Sequence, residues 1–306
     1  MFDKAEKVGV VGLGNMGGAI GANLCRKGFY VLGFDVLESA RAKLAAAGGC
    51  AAESVEDIAR SCRYIILALP SVRAFETVVE RIMDAAEPGT IVLECSTLPL
   101  KDKLRVKSKL EGTSIVMLDS PLSGTGAQAK TGDLSVYISG DEQAVMKVIP
   151  IVKGFSRSHY YLGEFGNGMK MKCVANLLVT IHNESSAEAM LLGVRSGLPA
   201  QLVYDVISDS AGMSRIFQVR GPMMVHREWR PATMTNDLYR KDLGIINEAL
   251  SEFGVHAPLF QATLPIYQRA VDNGHADDDT AALYAVLEDM SVNASAAGES
   301  AYGGKS

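Results

Sequence analysis

Residues 8–17 read Val8-Gly9-Val10-Val11-Gly12-Leu13-Gly14-Asn15-Met16-Gly17, and the reading of this stretch decides the fold. A run of strand character, Val8–Val11, meets glycines at the spacing GxGxxG, and an amphipathic segment, Met16–Lys27, follows at once. Each glycine has a mechanical role in such a turn. Gly12 permits the tight reversal, Gly14 lets the backbone approach a pyrophosphate, and Gly17 lets helix and strand pack closely. The amides at the new helix N-terminus then face the phosphates, where the helix dipole also favours negative charge. Gly12, Leu13, Gly14, Asn15, Met16 and Gly17 are therefore the candidate dinucleotide loop. Glycine turns also arise for purely structural reasons, so the context carries the weight. A second strand, Tyr30–Phe34, leads into Asp35, eighteen residues beyond Gly17. A carboxylate there can accept hydrogen bonds from both ribose hydroxyls of NAD and would repel the 2′-phosphate of NADP. Val36, Leu37 and Glu38 bring no cation for that phosphate, and Arg41 lies more than a turn into the next helix. The expected cofactor is NAD, with NADP disfavoured; FAD shares the glycine fingerprint.

Outward from this unit, short β-rich runs alternate with helix-length stretches as far as about Gly140. The expected strands are Val8–Val11, Tyr30–Phe34, Tyr64–Leu69, Thr90–Glu94, Ser114–Leu118 and Leu134–Ser139. Between them lie the helical candidates Met16–Lys27, Leu37–Ala47 with Ser54–Ser61, Ala74–Ala86 and Pro99–Leu110. Near-continuous apolar strands separated by helices imply a mostly parallel sheet covered on both faces. After Gly166 the strands stop. Met169–Arg195 reads as one long helix, ended by Ser196-Gly197-Leu198-Pro199. Further helices are expected at Ala200–Asp209, Asn236–Phe253, Pro258–Asn273 and Thr280–Met290. The chain thus reads as α/β: a Rossmann-type, mostly parallel domain over 1–165, then an all-α domain over 166–294. The Ala-, Gly- and Ser-rich tail, 295–306, is expected to be disordered.

At 306 residues the chain has room for two ordinary domains. A net charge of −5 argues against a nucleic-acid or acidic-membrane partner, because neither surface would attract it. Cys25, Cys50, Cys62, Cys95 and Cys173 are scattered without a CxxC pair, the pattern of free thiols in a reducing compartment. The histidines show no metal spacing, so no metal is expected. The N-terminal MFDKAEK is polar and runs straight into a strand, which argues against a secretory signal. The apolar run Ile65–Leu69 is far too short to cross a bilayer. A cytoplasmic location is the expectation. No YxxxK, GxSxG or HExxH is present. The terminal Gly303-Gly304-Lys305-Ser306 is no phosphate loop, since Glu299 stands where its first glycine belongs.

Two further segments carry chemistry. Gly166-Asn167-Gly168-Met169-Lys170-Met171-Lys172-Cys173-Val174-Ala175-Asn176 opens the long helix, and Lys172 and Asn176 share one face of it at i,i+4. Oxidising an alcohol requires a base for the hydroxyl proton, and reduction requires the same group as an acid. A lysine serves if burial or nearby positive charge lowers its pKa towards neutrality. Asn176, with both donor and acceptor, can hold a substrate without competing for the proton. Lys170, two residues away, reads as an ordinary surface lysine, and by itself the Lys172–Asn176 pair is also compatible with a solvated face. The other segment, Asp119-Ser120-Pro121-Leu122-Ser123-Gly124-Thr125-Gly126, follows a strand. Turns at the carboxyl ends of parallel strands are where doubly wound folds take ligands. Its hydroxyl and free amides can grip a carboxylate, although an ordinary turn has the same composition.

Taken together, these motifs resemble the β-hydroxyacid dehydrogenase family, which includes 3-hydroxyisobutyrate dehydrogenase and tartronate semialdehyde reductase. The resemblance spans residues 7–292. It rests on GLGNMG with Asn23-Leu24 after it, Leu69-Pro70, Ser96-Thr97, DSPLSGT, GxGxxxK ending at Lys172, and Lys241-Asp242-Leu243. It implies that Lys172 is the general acid/base and Asn176 the substrate-orienting amide. Ser123 and Gly124, with Thr125 beside them, match the substrate-carboxylate motif. Leu69, Pro70 and Thr97 match cofactor contacts, the last near the nicotinamide ribose. Lys241 matches a residue of the helical domain that closes over the site. The implied reaction is reversible NAD-dependent oxidation of a small 3-hydroxy acid, in a homodimer or homotetramer. Two departures bear on the substrate. Thr125 stands where the family commonly has glycine, and Ala175 stands where it often has asparagine, or histidine in the 6-phosphogluconate relatives. The alternatives are an imine reductase-like enzyme, whose relatives generally replace the catalytic lysine, and a non-catalytic NAD-sensing protein. The latter would have no reason to keep Lys172, Asn176 and Ser123 together.

Overall fold

The computed structural model describes residues 7–302, with side chains over 7–292. In chain order the first part holds β1 (Lys7–Val11), α1 (Asn15–Arg26), β2 (Tyr30–Phe34), α2 (Glu38–Ala46), β3 (Cys50–Ala51) and α3 (Val55–Ser61). Then come β4 (Tyr64–Leu67), α4 (Val72–Ala85), β5 (Ile91–Glu94), α5 (Leu100–Ser108) and β6 (Val116–Asp119). These strands form one six-stranded sheet in the order β3-β2-β1-β4-β5-β6, parallel throughout. This is the Rossmann-type sheet expected from the glycine turn. The strand order reverses direction between β1 and β4, so a crevice opens at their carboxyl ends.

Because strand side chains alternate between faces, the sheet sorts its residues into two apolar layers. Val8, Val10, Tyr64, Ile66, Ile91, Leu93 and Leu118 pack with Ile20 and Leu24 of α1. Val11, Ile65, Leu67, Val92 and Met117 pack with Ile58 of α3, Phe75 and Val79 of α4, and Val106 of α5. The second layer matters for the site, since Glu94 and Asp119 follow Val92 and Met117 by two residues and so face the same way.

A smaller sheet follows. β7 (Leu122–Ser123), α6 (Gly126–Thr131), β8 (Ser135–Ile138), α7 (Glu142–Phe155) and β9 (Ser158–Tyr161) build a three-stranded sheet in the order β7-β8-β9. The strand expected over Leu134–Ser139 therefore exists but belongs to this sheet, pairing antiparallel with β7 and parallel with β9. β3, β7, β9, α6 and α7 escape a reading by periodicity. β3 and β7 are two residues long. β9 is polar and half exposed, and α7 carries Pro150 inside it, which reads as a break.

From Asn167 the chain is helical: α8 (Asn167–Arg195), α9 (Ala200–Ser208), α10 (Arg215–His226), α11 (Asn236–Glu252) and α12 (Pro258–Ala270). A π turn (Val271–His275), a 3₁₀ turn (Thr280–Ala282) and α13 (Leu283–Tyr302) complete it. The unexpected α10 contains Gly221-Pro222, again a helix-breaking signal in sequence. Two compact units are present, changing over within α8 between Cys173 and Val174. The core of the second unit is built from Met190, Val203, Phe217, Tyr239, Ile246, Phe260, Tyr267 and Leu283. The disorder expected from Ser295 falls on residues whose side chains lie outside the described ones, and 1–6 and 303–306 lie outside them altogether. Among the described residues no helix is long and apolar enough to cross a membrane, and no cluster of histidine, cysteine and carboxylate side chains suits a metal.

Candidate active site

Parallel strands all end at one edge of their sheet. β1, β2, β4, β5 and β6 therefore deliver Gly12, Asp35, Leu69-Pro70, Ser96-Thr97 and Asp119-Ser120 to the same side of the first unit.

At β1 the turn is built by excluding side chains. Gly12 has φ +87°, and a Cβ on it would stand 2.3 Å from the carbonyl oxygen of Ala68. A Cβ on Gly17 would stand 1.8 Å from the carbonyl oxygen of Gly12, so α1 presses directly on the turn. At Gly14 nothing lies within 4 Å of that position, and the backbone presents an open face there. The turn is tied to the end of β2: the Leu13 amide donates to Asp35 Oδ2 at 2.7 Å and the Leu37 amide to Oδ1 at 2.9 Å. Arg41 is closer than its sequence position suggests. α2 starts at Glu38, so Arg41 is in its first turn, and Nη1 reaches back to donate to the Asp35 carbonyl oxygen at 2.5 Å. A guanidinium thus sits beside Asp35, where the sequence reading expected none.

The next two turns hold each other. The Leu69 amide donates to Ser96 Oγ at 2.8 Å, and the Ser96 amide donates to Glu94 Oε1 at 2.9 Å. Ser123, Gly124 and Thr125 lie where β7 hands over to α6. Thr125 is occupied as the helix cap: its Oγ1 accepts the Gln128 amide, and its own amide donates to Gln128 Oε1 at 2.9 Å. The departure from glycine at this position therefore has a local structural use.

On α8 the two lysines separate. Lys170 is exposed and donates to Asn167 Oδ1 at 3.1 Å, whereas Lys172 is 8% exposed. In the second unit Asn176 is buried and held from several directions. Its Nδ2 donates to Asp242 Oδ2 at 3.1 Å, and its carbonyl oxygen accepts the hydroxyls of Thr180 (2.8 Å) and Tyr239 (3.2 Å). Asp242 and the exposed Lys241 are neighbours on α11. Asp242 carries no signal of its role in the sequence; its partner Asn176 on α8 supplies one.

The larger omission is a buried ion cluster. Lys103 on α5 is fully buried, with Nζ 2.7 Å from Asp119 Oδ1 and 2.5 Å from Glu94 Oε2, both carboxylates also fully buried. The Glu94 contact is an ion pair lacking the alignment of a hydrogen bond. Burial pushes the Glu94 carboxyl up against the pull of Lys103. Burial also works against the Lys103 ammonium, but Asp119 and Glu94 outweigh it and hold the pKa above the usual lysine range. The signal was faint: Lys103 shares its helix face with Val106 at i+3, an inward position.

Known dehydrogenases resemble this chain along most of its length. The pattern defining the NAD binding domain of 6-phosphogluconate dehydrogenase matches residues 7–163. That of the NAD-binding region of NADP-dependent 3-hydroxyisobutyrate dehydrogenase matches residues 166–287. The chain is 30% identical to an NAD-dependent L-serine dehydrogenase of Pseudomonas aeruginosa over 283 residues, 90% of this chain and 95% of that protein. It is 30% identical to an L-threonate dehydrogenase of Haemophilus influenzae over 299 residues, 95% of this chain and 98% of that one. Among solved structures, a 3-hydroxyisobutyrate dehydrogenase from Salmonella typhimurium superimposes with a TM-score of 0.83 at 28% identity, covering 92% of this chain and 99% of that one.

Proposed function

Because the chain belongs to the β-hydroxyacid dehydrogenase family, we propose that it catalyses reversible NAD-dependent oxidation of a small 3-hydroxy acid to its semialdehyde or keto acid. Its relatives act on L-serine, L-threonate, 2-(hydroxymethyl)glutarate and 3-hydroxyisobutyrate, compact acids carrying a hydroxyl near a carboxylate. The observation that carries the reading is a buried lysine, Lys172, one helical turn before a buried and anchored amide, Asn176.

The carboxyl edge of the sheet fits a dinucleotide: an open backbone face at Gly14, and a carboxylate, Asp35, at the next strand end. When bound, the nicotinamide supplies the hydride acceptor. Lys172 Nζ takes the hydroxyl proton as the carbon loses its hydride, and returns that proton in the reverse direction. Asn176, fixed by Asp242, orients the hydroxyl. Ser123 and Gly124, with Thr125 capping the helix behind them, receive the carboxylate. Leu69, Pro70, Thr97 and Lys241 are assigned to the cofactor, together with the loop Gly12–Gly17. NAD is preferred on the strength of Asp35, although Arg41 brings a cation to the same corner. Exposed Val174, Leu178, Leu192 and Leu202 on α8 and α9 support self-association as a dimer or tetramer.

The test is a spectrophotometric screen of those four acids with NAD and NADP, run beside Lys172→Ala. Turnover in the variant is expected to fall by about 10²–10⁴-fold, the usual worth of a general acid/base, while NADH still binds. Near-normal turnover in Lys172→Ala would remove Lys172 from this role.

A further inference from the structure

We propose that the buried Glu94–Lys103–Asp119 triad positions Lys172, by clamping the first turn of α8 onto the carboxyl ends of β5 and β6. The inference rests on the reading of Lys172 as the acid/base.

The triad follows from strand register. Glu94 and Asp119 are direct partners across the parallel β5–β6 pair. The alternation that puts Val92 and Met117 in the layer beneath α5 turns both carboxylates the same way. Like charges side by side on one face repel, and away from water the repulsion is poorly screened. Lys103 enters between them from α5 and touches both. Each acid then has its second oxygen free for another element. Glu94 Oε1 accepts the Ser96 amide at the start of the Ser96-Thr97 turn. Asp119 Oδ2 accepts the Met169 amide at 2.7 Å and the Ser139 hydroxyl at 3.3 Å. Ser139 Oγ in turn accepts the Gly168 amide at 2.9 Å.

Gly168 and Met169 are the second and third residues of α8, whose leading amides have no partner within the helix. Asp119 and Ser139 thus do for α8 what a local cap does elsewhere, and a carboxylate there also meets the positive end of the helix dipole. The seat is close. A Cβ on Gly168 would stand 2.5 Å from the Tyr137 carbonyl oxygen and 2.8 Å from that of Asp119. Lys172 lies at i+4 from Gly168, on the same helix face, one turn along a rigid rod. Its height and azimuth above the strand ends are therefore set by the Asp119 clamp. Proton transfer concerted with hydride loss is sensitive to such placement, and a misplacement of about 1 Å is worth about 10²-fold. Lys103, Glu94 and Asp119 are positioning residues here, acting through the helix.

The test separates positioning from bulk stability. Lys103→Met leaves two buried carboxylates uncompensated. Lys103→Met/Glu94→Gln restores the native charge count while still removing the ammonium from Asp119, and it carries the test if the single variant fails to fold. The expected result in the double variant is a Tm largely recovered, NADH affinity by fluorescence titration within about 3-fold of the unsubstituted protein, and kcat lower by about 10–100-fold. The turnover probe is whichever of L-serine, L-threonate or 3-hydroxyisobutyrate the unsubstituted protein oxidises. Independently of turnover, amide hydrogen exchange over 166–173 is expected to speed up while exchange over 12–17 stays unchanged. Unaltered exchange at 166–173, a kcat that recovers with Tm, or NADH affinity and kcat falling together would each overturn the proposal. Activity surviving in Lys172→Ala would instead defeat the underlying reading, so the two failures are distinct.

Discussion

Two corners of one sheet edge show opposite ways of making a site. At the end of β1 the structure is defined by missing side chains: Cβ atoms at Gly12 and Gly17 would lie 2.3 Å and 1.8 Å from carbonyl oxygens. At the ends of β5 and β6 it is defined by charged side chains taken wholly out of water and closed on one another, Glu94, Lys103 and Asp119. The first corner leaves backbone amides and an open face for a ligand. The second leaves nothing for a ligand and holds other elements still. Glycine at such a turn has no substitute, so it announces itself in the sequence. Lysine, glutamate and aspartate belong by default on the surface, and their burial emerges only when strands pair.

The contrast can be broken from either side. Gly17→Ala forces a Cβ into the Gly12 carbonyl, and overpacking of this kind is worth about 1–3 kcal/mol or more. NADH affinity is expected to fall by about 100-fold, with exchange at 166–173 unaltered; retained affinity would show that the turn tolerates the contact. Lys103→Met is the mirror image. Stranding a buried charge costs about 3–5 kcal/mol, so chemical denaturation should report a large loss of stability while NADH binding persists in the folded fraction.

Asp35→Ala is a smaller change that sharpens the first corner. It removes the carboxylate proposed to receive the ribose but leaves Arg41 beside the vacated position. The preference for NAD over NADP, read as a ratio of kcat/KM values, should narrow by about 10–100-fold, the worth of a charged hydrogen bond. An unchanged ratio would remove Asp35 from cofactor choice. Because Asp35 also accepts the Leu13 amide, some loss of affinity for both cofactors should accompany it.

The smallest expected effect concerns a third buried acid. Glu184 on α8 is buried, with Oε2 unpartnered and no counter-ion in contact among the described residues. Burial, aided by Glu188, raises its pKa to about 8. In the unfolded chain it titrates near 4.5, so between these values the native state holds a proton that the unfolded state has lost, and stability declines as pH rises. Glu184→Gln should leave Tm unchanged below about pH 4.5. Its advantage should grow through neutrality and level off above pH 8, at about 2–4 °C for each kcal/mol recovered. A difference independent of pH would place the Glu184 carboxyl outside the buried state. Beside Glu94, it shows what a buried carboxylate does when no lysine reaches it.

Much of the architecture was legible in single residues and their spacing. The strand–glycine turn–helix unit, the following apolar strands and the long helix opened by Gly166 and Gly168 all follow from local preferences. Elements that run against those preferences were not. α7 and α10 form with Pro150 and Pro222 inside them because their apolar faces are covered by neighbours, which local signals do not register. In the candidate site, Lys172 and Asn176 stood out by family likeness, since their helical spacing alone also suits a solvated face. Arg41 is distant from Asp35 in sequence, yet its long side chain reaches back across the first turn of α2 to the Asp35 carbonyl oxygen. Asp242 showed no role until α11 packed on α8.

The sequence by itself determined the α/β order, the dinucleotide turn and the family, because each depends on neighbouring residues or on glycine, whose conformational freedom nothing else supplies. Only the tertiary structure decided that Glu94 and Asp119 share a register position, that both face α5, and that Lys103 joins them beneath the first turn of α8. Register and facing are properties of a pair of segments, absent from either segment alone. The burial that turns three ordinary surface residues into a clamp therefore appears only once the sheet has closed.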